Sequence, residues 1–314
     1  VQPPDLAEVE AAAERIADLV VRTPLLSLRG GPEPGAIFLK PEVLQPVGSF
    51  KIRGVGNWAL SLGPEETASG IATTSAGNTA LALGHMAREL GIVARSHVPD
   101  SLHGSKREAL EGYGVDLVPV TMTELMRFMF EEAWRGEPYA YLNPWGEPLM
   151  LAGHGTIGLE IFEDLPDLDS VFIPVGGGAL LGGVASVLKT LVPSVRVYAV
   201  QAKVNSALAA AFAAGGPSWI DWHDTIVEGA STPVITEEMY PMLRRLVDEV
   251  VLVTEEQVMD SIRRLALGDK LVTEGAGAAA LAAALATPVT ERGVSVCIVS
   301  GGSVDRKLLA RVLG

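Results

Sequence analysis

Three times along this chain a run of apolar residues ends in a turn of small residues and opens into a helix-like stretch. The passages are "IATTSAGNTA" (71–80), "FIPVGGGALL" (172–181) and "CIVSGGS" (297–303). A strand that is apolar throughout, rather than alternating, is buried on both faces and needs helices over each of them. Strands joined through helices in this way run parallel, so the repeated unit predicts an α/β fold of mostly parallel sheets covered on both faces.

The remaining periodicities fit that frame. Leu6, Val9, Ala13, Ile16 and Val20 mark one face of a first helix, with Pro3, Pro4 and Asp5 as its start signal. "AIFLK", "VARSHV", "VDLVPV", "VRVYAV" and "EVVLV" read as further strands, and "TALALGHMAREL", "GSKREALEGY", "MTELMRFMFEEAW" and "ALLGGVASVLKTL" as helices. "YLNPWGEP" (141–148) reads as a linker, which divides the chain into two α/β lobes.

Charge and cysteine usage narrow the partners. With 24 basic against 38 acidic residues the net charge is −14, which argues against nucleic acid and against an anionic membrane surface. The one cysteine, Cys297, lies in a strand-like run and can form no intramolecular disulfide, so a reducing, cytoplasmic setting is expected. The amphipathic, acidic start resembles neither a signal nor a transit peptide. The longest apolar runs, such as "GAGAAALAAALATPV", contain Gly and Pro and fall short of the ~20 residues that span a bilayer.

Two of the three turns can hold an anion, and the third stands where ligands bind or is an ordinary turn and cap. "IPVGGGALLGG" (173–183) lets backbone N–H groups converge at a helix start. It fails the dinucleotide pattern in either frame, through Leu181 or Ala179, and the next strand ends in Gln201 instead of an acid. A bare phosphate cradle and plain helix–strand packing both remain. "TTSAGNTALA" (73–82) offers N–H groups, hydroxyls and an amide to a carboxylate, or an ordinary helix cap. Ser300 in "IVSGGSVD" stands at the carboxyl end of a strand, the edge where parallel sheets place ligands. Glu274 in "TEGAGA" sets a carboxylate beside a glycine turn. The five histidines show no metal-ligand spacing, and no GxSxG elbow or GK[ST] loop occurs. One lysine stands apart: Lys51 in "QPVGSFKIRGVG" (45–56) follows a glycine turn and Phe50, a spare setting for an amine that only solubilises.

In this order, "RTPLLSL", "SFKIRG", "SAGN", "AGHGTIGLEI", "VGGGALLGG", "TEGAGA" and "SGGSVD" resemble the fold-type II pyridoxal-phosphate (PLP) enzymes, especially the threonine dehydratase and serine racemase family. The resemblance covers almost the whole chain. It implies that Lys51 carries the cofactor and serves as base at the substrate Cα, with Phe50 near the ring and Asn78 at the ring hydroxyl. Ser75, Asn78 and Thr79 would meet the substrate carboxylate, and Gly176, Gly177, Gly178 and Ala179 the phosphate. Ser300 would face the pyridine nitrogen, Glu274 would lie close to ring and substrate, and His154 joins the expected substrate contacts. The implied division is residues 1–69 with 147–314 as the large, cofactor-binding domain and 70–146 as a small mobile one. The implied reaction is loss of water from a β-hydroxy amino acid, giving an aminoacrylate that hydrolyses to a 2-oxo acid and ammonia, in a homodimer or homotetramer.

Several positions depart from the family pattern. Thr79 stands where the dehydratases usually have His, as in threonine synthases, and His154 where they usually have Gln. Ala179 interrupts the glycine tetrad. Ala76 occupies the place of the racemases' second serine, which disfavours racemisation, and Gln201 and Ala207 replace acids of the relatives' cation site, so no metal is expected there. A replacement transferase of the threonine synthase kind is the main alternative, with a racemase and a non-catalytic binding protein behind it.

Overall fold

The computed structural model of the chain describes residues 1–31 and 36–314. Its strands, in chain order, are β1 (Leu26–Ser27), β2 (Ile37–Pro41), β3 (Ile71–Thr74), β4 (Ala94–Pro99), β5 (Val115–Val120), β6 (Ala140–Leu142), β7 (Ser170–Pro174), β8 (Arg196–Ala202), β9 (Glu249–Val253) and β10 (Ser295–Val299). They form a six-stranded sheet, β1-β2-β10-β7-β8-β9, and a four-stranded one, β5-β4-β3-β6. Every pairing is parallel except β1 with β2. The expected α/β class of mostly parallel, doubly covered sheets is what the chain adopts.

The helices are α1 (Leu6–Ile16), α2 (Lys51–Ser61), α3 (Asn78–Leu90), α4 (Ser105–Gly112), α5 (Met122–Phe130), α6 (Pro148–Asp164), α7 (Ala179–Leu191), α8 (Ala207–Ala214), α9 (Tyr240–Leu246), α10 (Glu255–Arg264), α11 (Gly275–Ala286), α12 (Val289–Arg292) and α13 (Arg306–Leu313). Their starts are written locally. Asp5 and Glu8 form a capping box at α1, and Thr121 with Glu124 and Thr254 with Gln257 do the same at α5 and α10. Each satisfies amide donors that a bare helix end leaves open, contributing about 1 kcal/mol. Helix α1 buries Val9, Ala12 and Ile16 and stops at Ile16, so Val20 of the expected stripe lies beyond it.

The core sits where the sequence is apolar without interruption. All residues of β7 and β10 are buried. Phe172 of β7 stands opposite Tyr198 of β8, and the rings stack at 4.4 Å. Helix α6 lies between α2 and α7 at close range. A methyl group at Gly153 of α6 would come 2.3 Å from the Arg53 carbonyl oxygen, and one at Gly183 of α7 would come 2.3 Å from that of Leu151. Only glycine permits this approach.

Two segments differ from the sequence reading. The expected linker begins as strand β6, which pairs with β3 and completes the small sheet. The stretch after it is α6, the 17-residue helix that opens with Pro148 at its first turn and Glu147 as cap. Residues from Met150 to Gly158 are all buried, so this part of α6 is enclosed on every side and lacks the amphipathic period by which a surface helix is read.

Candidate active site

The carboxyl ends of β3, β7 and β10 lead into Ser75, Gly176 and Ser300, and all three turns open on one cavity of about 590 Å³ between the two sheets. Phe50, Lys51, Ser75, Asn78, Thr79, Gly176, Gly177, Gly178, Ala179, Glu274 and Ser300 line it. These segments are far apart in the chain, and the fold brings them together.

Lys51 is the first residue of α2. The turn before it is sewn to the turn after β10: the Phe50 N–H donates to the Ser300 carbonyl (3.0 Å), the Gly302 N–H donates to that of Gly48 (2.9 Å), and Ser49 bridges Gly301. These backbone bonds fix the amine relative to Ser300. Nζ lies 4.9 Å from the centre of the Phe50 ring. Burial lowers its pKa to about 8, against the opposing pull of the Glu274 charge. An amine so shifted is a usable nucleophile near neutral pH.

Opposite it, Gly176, Gly177 and Gly178 lead into α7, whose first turn no side chain caps. Gly178 has φ +102°, in the region that only glycine enters freely, and a Cβ there would also strike Leu243 at 2.7 Å. Ala179 is already helical, so its methyl costs nothing: the interruption of the tetrad falls where glycine is not required. Free N–H groups at a helix start with no side chain in the way form a cradle for a phosphate.

The third wall is the turn at Ser75. Ser96 clamps it: its hydroxyl donates to the Ser75 carbonyl (2.7 Å) and accepts from the Ser75 N–H (3.2 Å). The Asn78 amide donates to Glu274 Oε1 (2.8 Å), and the Ser303 hydroxyl donates to Asn78 Oδ1 (2.6 Å). Burial raises the Glu274 carboxyl to about 7, although the Asn78 hydrogen bond works the other way.

His154 stands elsewhere. It does not line the cavity but packs on α6 behind Phe50, rings edge to face at 4.7 Å. Gly54 of α2 leaves it room, since a Cβ there would lie 2.4 Å from His154 Cε1. The imidazole is fully buried, neither nitrogen has a hydrogen-bond partner, and its pKa is pushed well down by burial and then by the charges of Lys51 and Arg53. A direct substrate contact is not met by this position, because the side chain fills the helix–helix contact beneath the site. Gln201 serves the fold instead. Its Oε1 accepts from the N–H groups of Leu208 (2.9 Å) and Ala209 (3.2 Å) at the start of α8, and Nε2 donates to the Val175 carbonyl. Among the described residues no cluster of three or more His, Cys, Asp or Glu could hold a metal ion.

A buried ionic group under the site has no signature in the sequence. Arg53, fully buried two residues past Lys51, donates to both oxygens of Glu42 (2.7 and 2.9 Å) and both of Glu160 (2.7 and 3.0 Å). Lys40 pairs with Glu160 as well. The partners sit 11 and 107 residues from the arginine, and only a helix read at α6 could have suggested the second.

An amine of lowered basicity, a phosphate cradle, a carboxylate-sized turn and a neutral serine around one cavity define the site of a PLP-dependent enzyme of fold type II. Residues 16–301 match the family described as "Pyridoxal-phosphate dependent enzyme", and the chain belongs to that family. It is a PLP-dependent lyase. The catabolic L-threonine dehydratase TdcB of Staphylococcus aureus (strain USA300) is 35% identical over 318 residues, covering 98% of this chain and 91% of the relative. The structure of maize serine racemase superposes with TM-score 0.88 at 30% identity over 98% of both chains. That of a T.th. threonine deaminase gives 0.87 at 32% over 96% of this chain and 99% of the other. No helix among the described residues is long and apolar enough to cross a membrane.

Proposed function

We propose that this chain is an ammonia-lyase for β-hydroxy α-amino acids: the β-hydroxyl leaves as water, the resulting enamine takes a water back up through its imine, and the net products are a 2-oxo acid and ammonia. The carrying observation is the convergence of Lys51, the Ser75–Thr79 turn, the glycine cradle and Ser300 on one cavity. In this reading Gly176, Gly177, Gly178 and Ala179 hold the cofactor phosphate, Phe50 packs near its ring and Ser300 faces the pyridine nitrogen. Bound there, PLP supplies an electron sink for charge developing at the substrate Cα. Lys51 holds the cofactor and its Nζ takes the Cα proton. Ser75 and Thr79 orient the carboxylate, while Asn78, held by Glu274 and Ser303, keeps the turn in place. A neutral serine at the ring nitrogen favours prompt loss of the β-hydroxyl. Ala76 presents a methyl where a base on the opposite face would be needed, which supports elimination over racemisation.

Residues 70–146 form the mobile lobe in this reading, closing over the reactants to exclude water. The relatives named as threonine dehydratase and threonine deaminase support the same chemistry. A cytoplasmic homodimer or homotetramer belongs to the proposal, and light scattering of the purified holoenzyme measures that assembly. The main experiment incubates holoenzyme with serine, threonine, phenylserine and hydroxyaspartate and follows 2-oxo acid and ammonia. Stoichiometric release of both from at least one is expected. Absence of both from all four, with intact cofactor, overturns the reading.

A further inference from the structure

The cavity wall contributed by the small sheet's helices is apolar well beyond what a methyl group needs. Leu125, Met126 and Met129 of α5 line it, as do Trp145 and Trp222. Only 5% of the chain is aromatic, yet three of its five tryptophans gather here. Trp145 and Trp219 both pack on Phe130, at 5.6 and 5.1 Å between ring centres. Trp219 and Trp222 are 60% and 41% exposed, an unusual outlay of large apolar surface for residues without a ligand. The Trp222 indole donates to Ser231 Oγ (3.0 Å), which holds the ring at the rim. Aromatic rings and methionine thioethers together grip flat apolar groups and adapt to their shape. The cationic side chains lining the cavity are Lys51 and Lys106, and Lys106 is paired with Glu228. A second substrate carboxylate therefore finds its one candidate partner engaged.

We infer that the preferred substrate carries an aryl or similarly bulky apolar group at Cβ, received among Met126, Met129, Trp145 and Trp222. This deepens the lyase reading and rests on it. Burying a phenyl ring instead of a methyl should favour the larger substrate by at least about tenfold in kcat/KM.

The test compares holoenzyme kcat/KM for 3-phenylserine, threonine and serine, and titrates tryptophan fluorescence with L-phenylalanine and L-alanine, which have no β-hydroxyl to lose. Phenylserine is expected to exceed threonine by that factor, and phenylalanine to bind at least about tenfold more tightly than alanine. Met129→Asp should lower the phenylserine-to-serine ratio at least about tenfold, and Met129→Ala should lower it in the same direction. Threonine or serine turned over faster than phenylserine, with phenylalanine binding no tighter than alanine, overturns the inference and leaves the lyase intact. Tight phenylalanine binding with ammonia from no substrate overturns the lyase reading and leaves the subsite standing. Failure of both measurements removes both.

Discussion

Lys51 owes its chemistry to where it is buried. At pH 8 an ordinary lysine is under about 1% neutral, whereas an amine titrating near 8 is half neutral. Burial disfavours the charged form, so the neutral, attacking form is present at lower pH. The rate at which apoenzyme captures PLP should therefore rise with pH and level off above about 8, as seen by stopped-flow absorbance; a rise that continues toward 10 would contradict the buried setting. Lys51→Ala should remove the visible band of the lysine-bound cofactor and lower turnover at least about a thousandfold. A retained band with the adduct mapped to another lysine would reject the assignment. Arg53 is the second residue that matters at this scale. Arg53→Met leaves the buried Glu42 without a cationic partner and Glu160 with Lys40 alone, and should cost about 3–5 kcal/mol in urea unfolding of the protein. Adding Glu42→Gln, which removes the carboxylate left without a cation, should restore much of it. A loss under 1 kcal/mol would mean that the group is far better hydrated than its burial implies.

Among elements, the glycine turn before α7 carries the sharpest requirement. Gly178→Val combines a φ of +102° with a collision against Leu243, and should weaken PLP affinity by about tenfold or more in equilibrium dialysis. Unchanged affinity would show that the turn is not the phosphate cradle. The strand–turn–helix crossings were legible because each condenses its evidence into ten residues: an uninterrupted apolar run, small residues, then a helix start. Helix α6 was not, since burial on all sides erases the period that betrays a helix, and its first turn follows a stretch rich in turn formers. The position of His154 was lost with it. A residue read from motif spacing alone carries no direction, and only the contact of α6 with Gly54 of α2 turns the imidazole away from the cavity. Likewise Asn78 was legible as a polar turn residue, while its engagement by Glu274, 196 positions away, depends on the closed fold.

At the scale of the molecule, the two sheets divide the site between them. The large sheet leads into the glycine turn and Ser300, to which the turn before Lys51 is bonded, whereas the small sheet leads into Ser75 and Thr79 and carries α5 with Met126 and Met129. If residues 70–146 close as a body, saturating L-alanine should slow amide hydrogen exchange in α3, α4 and α5 while β7 and β10 stay as they were. Equal slowing in both sheets would argue against a moving lobe. The Lys106–Glu228 ion pair already spans from α4 to the segment between α8 and α9, though as an exposed pair it contributes no more than about 1 kcal/mol.

The seam joining residues 48–50 to 300–302 is made of main-chain bonds alone. Amino-acid replacements that spare its N–H groups leave the gap between amine and serine untouched, so the reacting geometry is inherited as a unit. Novelty must then enter from across the crevice, through residues such as Thr79 and Met129. A lineage built this way can trade one substrate side chain for another while the bond it breaks stays the same.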